Sequence, residues 1–86
     1  MPTICSFYGI LIRMFFSDHA PPHFHVEYGE FKATVEIQSL KINCGCLPRR
    51  AQSLVLEWAR MHQLELMADW ELCIVKQQPN PIEPLL

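Results

Sequence analysis

Between His23 and Ile37 apolar side chains fall on every second residue, and the alternation reflects about Gly29-Glu30. A glycine at the first position of a two-residue loop suits a type II′ turn. The stretch therefore predicts a β-hairpin with strands over 23–28 and 31–37. That register sets Tyr28 opposite Phe31, Val26 opposite Ala33 and Phe24 opposite Val35. All six then share one side, as a half-buried sheet requires, and a slip of one residue would turn them all to the other. The opposite side carries His23, His25, Glu27, Lys32, Thr34 and Glu36. Glu27 and Lys32 become cross-strand partners, worth about 0.2–1 kcal/mol.

The rest of the chain is read outward from this hairpin. Thr3 to Phe7 predicts a short strand ended by Tyr8-Gly9. Ile10 to Phe16 predicts a longer one, with Ile10, Ile12, Met14 and Phe16 on one face and Leu11, Arg13 and Phe15 on the other. Apolar residues on both faces fit a central strand, or one whose second face meets a partner. Ser17 to Pro22 must be a loop, because Pro21 and Pro22 lack backbone donors and force extended geometry on Ala20. Both X–Pro bonds are expected to be trans, the usual state. A further strand is expected over about Lys41 to Cys46.

Past Pro48 the period changes. Ala51, Leu54, Val55, Trp58, Ala59 and His62 follow the spacing of one helix face. The pattern drifts on through Leu66, Met67, Trp70, Cys73 and Ile74. One unbroken helix from Pro48 to Val75 would run roughly 42 Å, against about 30 Å for a small domain. A break is therefore predicted between Met61 and Glu65. The Pro-rich tail over 79–86 cannot be helical and should lie against the surface. The expected fold is α+β in two layers, as one domain over 1–86. An antiparallel sheet of four to five strands (about 3–46) is followed by two helices (about 48–77) packed on one face.

Hydrophobic residues make up 50% of the 86, too many for intrinsic disorder. The net charge of −2 opposes strong non-specific binding to nucleic acid and leaves nucleic acid a weakly supported partner. The apolar run from Gly9 to Phe16 is interrupted by Arg13 and falls far short of the roughly 20 residues that span a bilayer. With no basic segment at Met1 to Cys5, no secretory signal and no membrane partner are expected, and the compartment read is cytoplasmic. Cys5, Cys44, Cys46 and Cys73 show no disulfide-framework spacing, and Cys44-Gly45-Cys46 is C-x-C, not the C-x-x-C of zinc ribbons. Reduced thiols, mostly packing, are expected.

Three of the four histidines, His19, His23 and His25, lie within a few residues. His23 and His25, two apart on a strand, project from one face, and Glu27 extends the row. Two imidazoles so placed can hold a divalent metal, with His19 or Glu27 as a further ligand. The same row can do acid–base work, since imidazole titrates near neutrality. Catalysis would then draw on His19, His23, His25 and Glu27, with Arg50 on a phosphate. Asp18, His19, His23, His25 and Glu27, together with Arg49 and Arg50, form the candidate binding surface. The plainest reading is a solvated or hydrogen-bonded sheet face with His19 structuring the loop, and with no cofactor. His62 falls on the helix face that packs on Phe24, Val26 and Tyr28, away from His23 and His25, and is expected to be a packed boundary residue. Arg49 and Arg50 in the first helical turn oppose the macrodipole at about 0.3–1 kcal/mol each, a cost that a carboxylate, phosphate or acidic partner would offset. Trp58 and Trp70 are expected in the core.

Several stretches together resemble one family. They are Met1-Pro2-Thr3-Ile4 with Phe7-Tyr8-Gly9-Ile10, the segment Asp18-His19-Ala20-Pro21-Pro22-His23-Phe24-His25-Val26-Glu27-Tyr28-Gly29-Glu30, and Leu47-Pro48-Arg49-Arg50. Glu57-Trp58 with His62, Glu65-Leu66 through Trp70, and Ile82 to Leu85 complete the set. The chain resembles the bacterial and archaeal family called domain of unknown function 4160. The resemblance implies a short, usually stand-alone cytoplasmic protein with no established catalytic residues. Its gene often neighbours a second small family of unknown function (number 2442), an arrangement reminiscent of toxin–antitoxin pairs. The family motif places weight on His19, Pro21, Pro22, His23, His25, Tyr28, Arg50, Trp58, His62 and Trp70. The expected function is a protein-interaction component of such a pair. Its partner would be the neighbouring gene's small protein or a second copy of the chain. A ribonuclease-like toxin and a small metal-binding protein are the alternatives.

Overall fold

The computed structural model describes residues 2–86. Five strands, β1 (Thr3–Phe7), β2 (Ile10–Arg13), β3 (His23–Tyr28), β4 (Phe31–Glu36) and β5 (Ile42–Gly45), precede helices α1 (Arg49–Met61) and α2 (Gln63–Ile74). The strands form one antiparallel sheet in sequence order. This is the α+β arrangement expected. The hairpin register holds residue for residue, with Phe24 opposite Val35, Val26 opposite Ala33 and Tyr28 opposite Phe31.

One sheet face is covered. Ile10, Ile12, Met14, Phe24, Val26 and Val35 are buried beneath the helices, where each full burial contributes about 1.5–3 kcal/mol. Trp58 of α1, fully buried, meets Phe7 at a ring-centroid distance of 5.5 Å and Phe24 edge-on at 6.0 Å. Leu66, Trp70 and Cys73 bring α2 onto the same core.

The helix break falls at His62, inside the predicted window, and the molecule's longest dimension of 33 Å shows why it is needed. The His62 N–H closes a tight final turn on the Ala59 carbonyl, while its own carbonyl accepts from Leu66 and starts α2. The Gln63 side chain then donates to the Ile37 and Gln38 carbonyls, pinning the break to the turn after β4.

Two expectations are corrected. Strand β2 ends at Arg13 rather than Phe16, so Met14 stays in the core but Phe16 is 41% exposed. The chain leaves the sheet there because Ser17, with φ 55°, turns its N–H to the Cys73 carbonyl at the end of α2. The Ala20–Pro21 bond is cis, not trans.

The tail is strapped down at three points. Asn80 N–H donates to Asp69 Oδ1, Ile82 N–H to the Ile4 carbonyl, and Trp58 Nε1–H to the Glu83 carbonyl. The Ile82 bond caps the outer edge of β1, which would otherwise expose unpaired backbone groups. Asp69 is 2% exposed and its Oδ2 has no partner. Burial pushes its carboxyl up, the Asn80 N–H opposes that, and the Glu65 charge adds to it. The folded state therefore holds this proton more tightly than the unfolded chain, whose value is about 3.9. The stability so gained is fully present below about pH 4 and is lost as pH rises through the raised folded value. The stability difference between the parent and Asp69→Asn, read from urea curves, should fall as pH is raised from about 4 to about 7.

Gly45 and Gly29 both have positive φ, at 77° and 57°. A Cβ on Gly45 would sit 2.1 Å from the Lys32 carbonyl oxygen, whereas one on Gly29 would meet nothing within 4 Å. Gly29→Ala should cost about 1–2 kcal/mol, the left-handed penalty alone. Gly45→Ala should cost clearly more, and the two midpoints in urea rank them.

Candidate functional site

The site grows from a mismatch in strand length. Arg13 is level with His25, so β2 has no residue to set beside His23. The loop over 14–22 fills that place, and Trp70 of α2 reaches it from the covered side, with its ring 5.2 Å from that of His23. His23 is consequently 4% exposed. This corrects the expected open row of His23, His25 and Glu27, because the solvated face begins only at His25.

The loop returns Asp18 over the start of β3. Its carboxylate gathers all three clustered histidines. His25 Nε2–H donates to Asp18 Oδ2 at 3.0 Å, and His23 Nε2 stands 3.0 Å from the same oxygen. The backbone N–H of His19 donates to Oδ1 at 2.8 Å, and the His19 ring Nδ1 is 3.0 Å from it. Each ring has its own support. His23 Nδ1–H donates to the Pro21 carbonyl at 2.8 Å, and Phe15 stacks on His25 at 4.0 Å with 11° between planes. The His19 side chain remains 85% exposed. Burial of Asp18 works to raise its pKa. The hydrogen bonds from His25 and the His19 backbone, with the charges of His23 and His25, together outweigh it and hold the carboxyl below its ordinary value.

Asp18, His23 and His25 each bring one potential ligand atom within 4.8 Å of the other two. Glu27 does not join them. It lies opposite Lys32 and pairs with Arg13 at 3.6 Å, so Asp18 takes the place expected of a row carboxylate. His62 stays apart, as expected: its ring packs 5.6 Å from Trp58 and its Nδ1–H donates to Glu65 Oε1. Arg49 and Arg50 stand exposed at the start of α1, where no acidic residue occupies the first turn. Arg50 shares a small cleft with Tyr8, Tyr28 and Leu54. That is the Tyr28 end of β3, about 17 Å along the strand from His23. The sequence therefore named every histidine of the cluster, and it placed Asp18 on the binding surface but not at its centre. Phe15 and Trp70, the two rings that flank the imidazoles, were assigned only to strand and core. The double proline was the available signal that the loop doubles back.

Beyond the cluster, the face of the sheet away from the helices carries Leu11, Arg13, His25, Glu27, Lys32 and Thr34. A depression of about 380 Å³ opens there, walled by Phe15, His25, Glu27, Lys32, Thr34 and Cys44 among others. Cys44 and Cys46 are exposed thiols, and Cys5 and Cys73 are buried ones that burial pushes up. No helix among the described residues is long and apolar enough to cross a membrane.

These features define a small α+β protein with one open sheet face and a carboxylate-centred histidine cluster at its rim. The chain belongs to the DUF4160 family, a domain of unknown function, whose profile matches residues 9–71. No curated protein and no solved structure matches it.

Removing the central carboxylate strands the buried His23 Nε2. Asp18→Ala should lower stability by about 2 kcal/mol in chelator-treated buffer, the scale of hydrogen bonds to a charged group. His19→Ala should change it by less than about 0.5 kcal/mol, as for an exposed side chain. Urea denaturation of both variants checks the contrast.

Proposed function

We propose that the chain is a protein-binding module, the partner-holding member of a two-gene, toxin–antitoxin-like pair, and that it grips its partner with the open face of the sheet. One observation carries the reading. The helices cover a single sheet face, and the other opens a depression of about 380 Å³ with half-buried Phe15 in its wall beside His25, Glu27, Lys32 and Thr34. An aromatic side chain set among polar groups is the composition that protein interfaces favour.

Charge selects the kind of occupant. On this face Glu27 lies opposite Lys32 and 3.6 Å from Arg13, so each of these cations has a carboxylate as neighbour. A nucleic-acid backbone asks for unopposed Lys and Arg, whereas a folded protein surface accepts such a mixed patch. The gene pairing that the family resemblance implies points to the small protein encoded beside it as the partner. An acid–base nuclease is less well supported, because Arg49 and Arg50 lie at the far end of β3 from the histidines.

Co-expression with the neighbouring gene's product tests the proposal. A single complex on size exclusion is expected. Phe15→Ala combined with Thr34→Arg should weaken it by at least about 10-fold while leaving the circular dichroism unchanged. Independent elution of the two proteins, or a homodimer of this chain that excludes the partner, would overturn it.

A further inference from the structure

We infer that Asp18, His23 and His25 form a binding site for one divalent first-row transition ion of the zinc class, with Asp18 Oδ2 and the two Nε2 atoms as ligands. The inference stands apart from the partner surface, although His25 lies at the edge of both.

The first argument is proton bookkeeping at His23. A neutral imidazole carries one N–H. His23 directs Nδ1 at the Pro21 carbonyl, 2.8 Å away, and a carbonyl can only accept. The single proton of the neutral ring is thereby placed, and Nε2 turns a lone pair toward the Asp18 oxygen 3.0 Å away. Two acceptors facing one another need a cation between them. Either a second proton or a metal ion answers, and the metal also engages His25 Nε2, 3.0 Å from the same oxygen, once the proton that this nitrogen donates to Asp18 is released to solvent or moved to Nδ1.

The second argument is distance. Zinc holds imidazole nitrogen and carboxylate oxygen at about 2.0–2.2 Å, so two such ligands stand about 3.0–3.4 Å apart at angles between octahedral and tetrahedral. Both nitrogen–oxygen separations here are 3.0 Å. The three ligand atoms lie within 4.8 Å of one another, so the two rings draw together about Asp18 Oδ2 to hold the ion.

The third argument is support. A metal-bound histidine almost always donates its other ring N–H to a carbonyl or carboxylate, which fixes the tautomer. The His23–Pro21 bond has that form. Phe15 stacked on His25 and Trp70 against His23 hold the two rings, and the His19 N–H holds Asp18. The ligand side chains are only 5%, 13% and 23% exposed for His23, Asp18 and His25. Two imidazoles with one carboxylate select against calcium and magnesium, which take oxygen ligands. With three protein ligands, a coordination position remains for water or a further donor.

Untagged protein, stripped with chelator and kept reduced, is titrated with zinc chloride by calorimetry and with cobalt chloride by its visible absorption. One equivalent should bind at micromolar or tighter affinity, about 1 μM or below. Asp18→Ala and His25→Ala should each weaken it by at least about 100-fold, beyond the 10- to 100-fold typical of outer-shell changes. His19→Ala should stay within about threefold, as should Cys44→Ser combined with Cys46→Ser. Should a site variant unfold, nitrogen-detected NMR of the parent still decides. Zinc should shift Nε2 of His23 and His25 while His23 Nδ1 keeps its proton. No binding by the parent at about 100 μM zinc, unmoved imidazole signals, or loss of binding in the double Cys variant would overturn the inference.

Discussion

Strand β3 lies between two antiparallel neighbours, and its register is the constraint on which the rest of the molecule depends. It commits Phe24 and Val26 to the core beneath Trp58 and, by the same alternation, commits His25 and Glu27 to the open face. A one-residue slip would exchange the two sets and bury a carboxylate without a partner. The core thus orients the polar side of the sheet as firmly as it orients itself. Residues that touch no helix are held in place by the ones that do.

His23 is where this alternation meets its limit. Strand β3 continues two residues past the last paired residue of β2, so the end of the strand has no sheet neighbour on that side. Two elements close the gap, the returning loop with Asp18 and the C-terminal half of α2 with Trp70. Burial of this imidazole is offset by a polar neighbour at each ring nitrogen, the Pro21 carbonyl at Nδ1 and the Asp18 carboxylate at Nε2. The loop in turn is anchored at Ser17, whose N–H reaches Cys73. The cluster is therefore a joint between loop, strand and helix, and the structural and chemical readings of Asp18 describe one set of contacts.

What could be read from the residues alone follows the reach of periodicity. The hairpin, the two helices and the break at His62 were legible because apolar spacing and helix length are local or geometric quantities. Phe16 was assigned to a strand that does not extend so far, since alternation cannot register a tertiary bond from Ser17 to the end of α2. The histidines could be named by type and spacing. Their convergence on Asp18 could not, because a loop has no period to project. Glu27 looked like the natural carboxylate partner from its place in the row, yet sheet neighbours Arg13 and Lys32 claim it. Arg49 and Arg50, adjacent to nothing in sequence that would exclude them from the histidines, are removed by the length of β3.

His25 links the Asp18 cluster to the depression on the open face. Its Nε2 faces Asp18, and the same residue walls the depression on the open face. A change at the carboxylate can alter a partner's affinity only if the two states of the cluster present different contacts to that partner. Among the ring residues, only His25 touches both places, and Phe15, stacked on it, forms the next part of the wall. With the ring held between Phe15 and Asp18, an ion that drew Nε2 and Oδ2 together would act on the depression through the tilt of this pair. Glu27, Lys32 and Thr34 would keep their places, fixed by strand register. The stacked pair of Phe15 and His25 is thus the side-chain contact shared by the cluster and the depression.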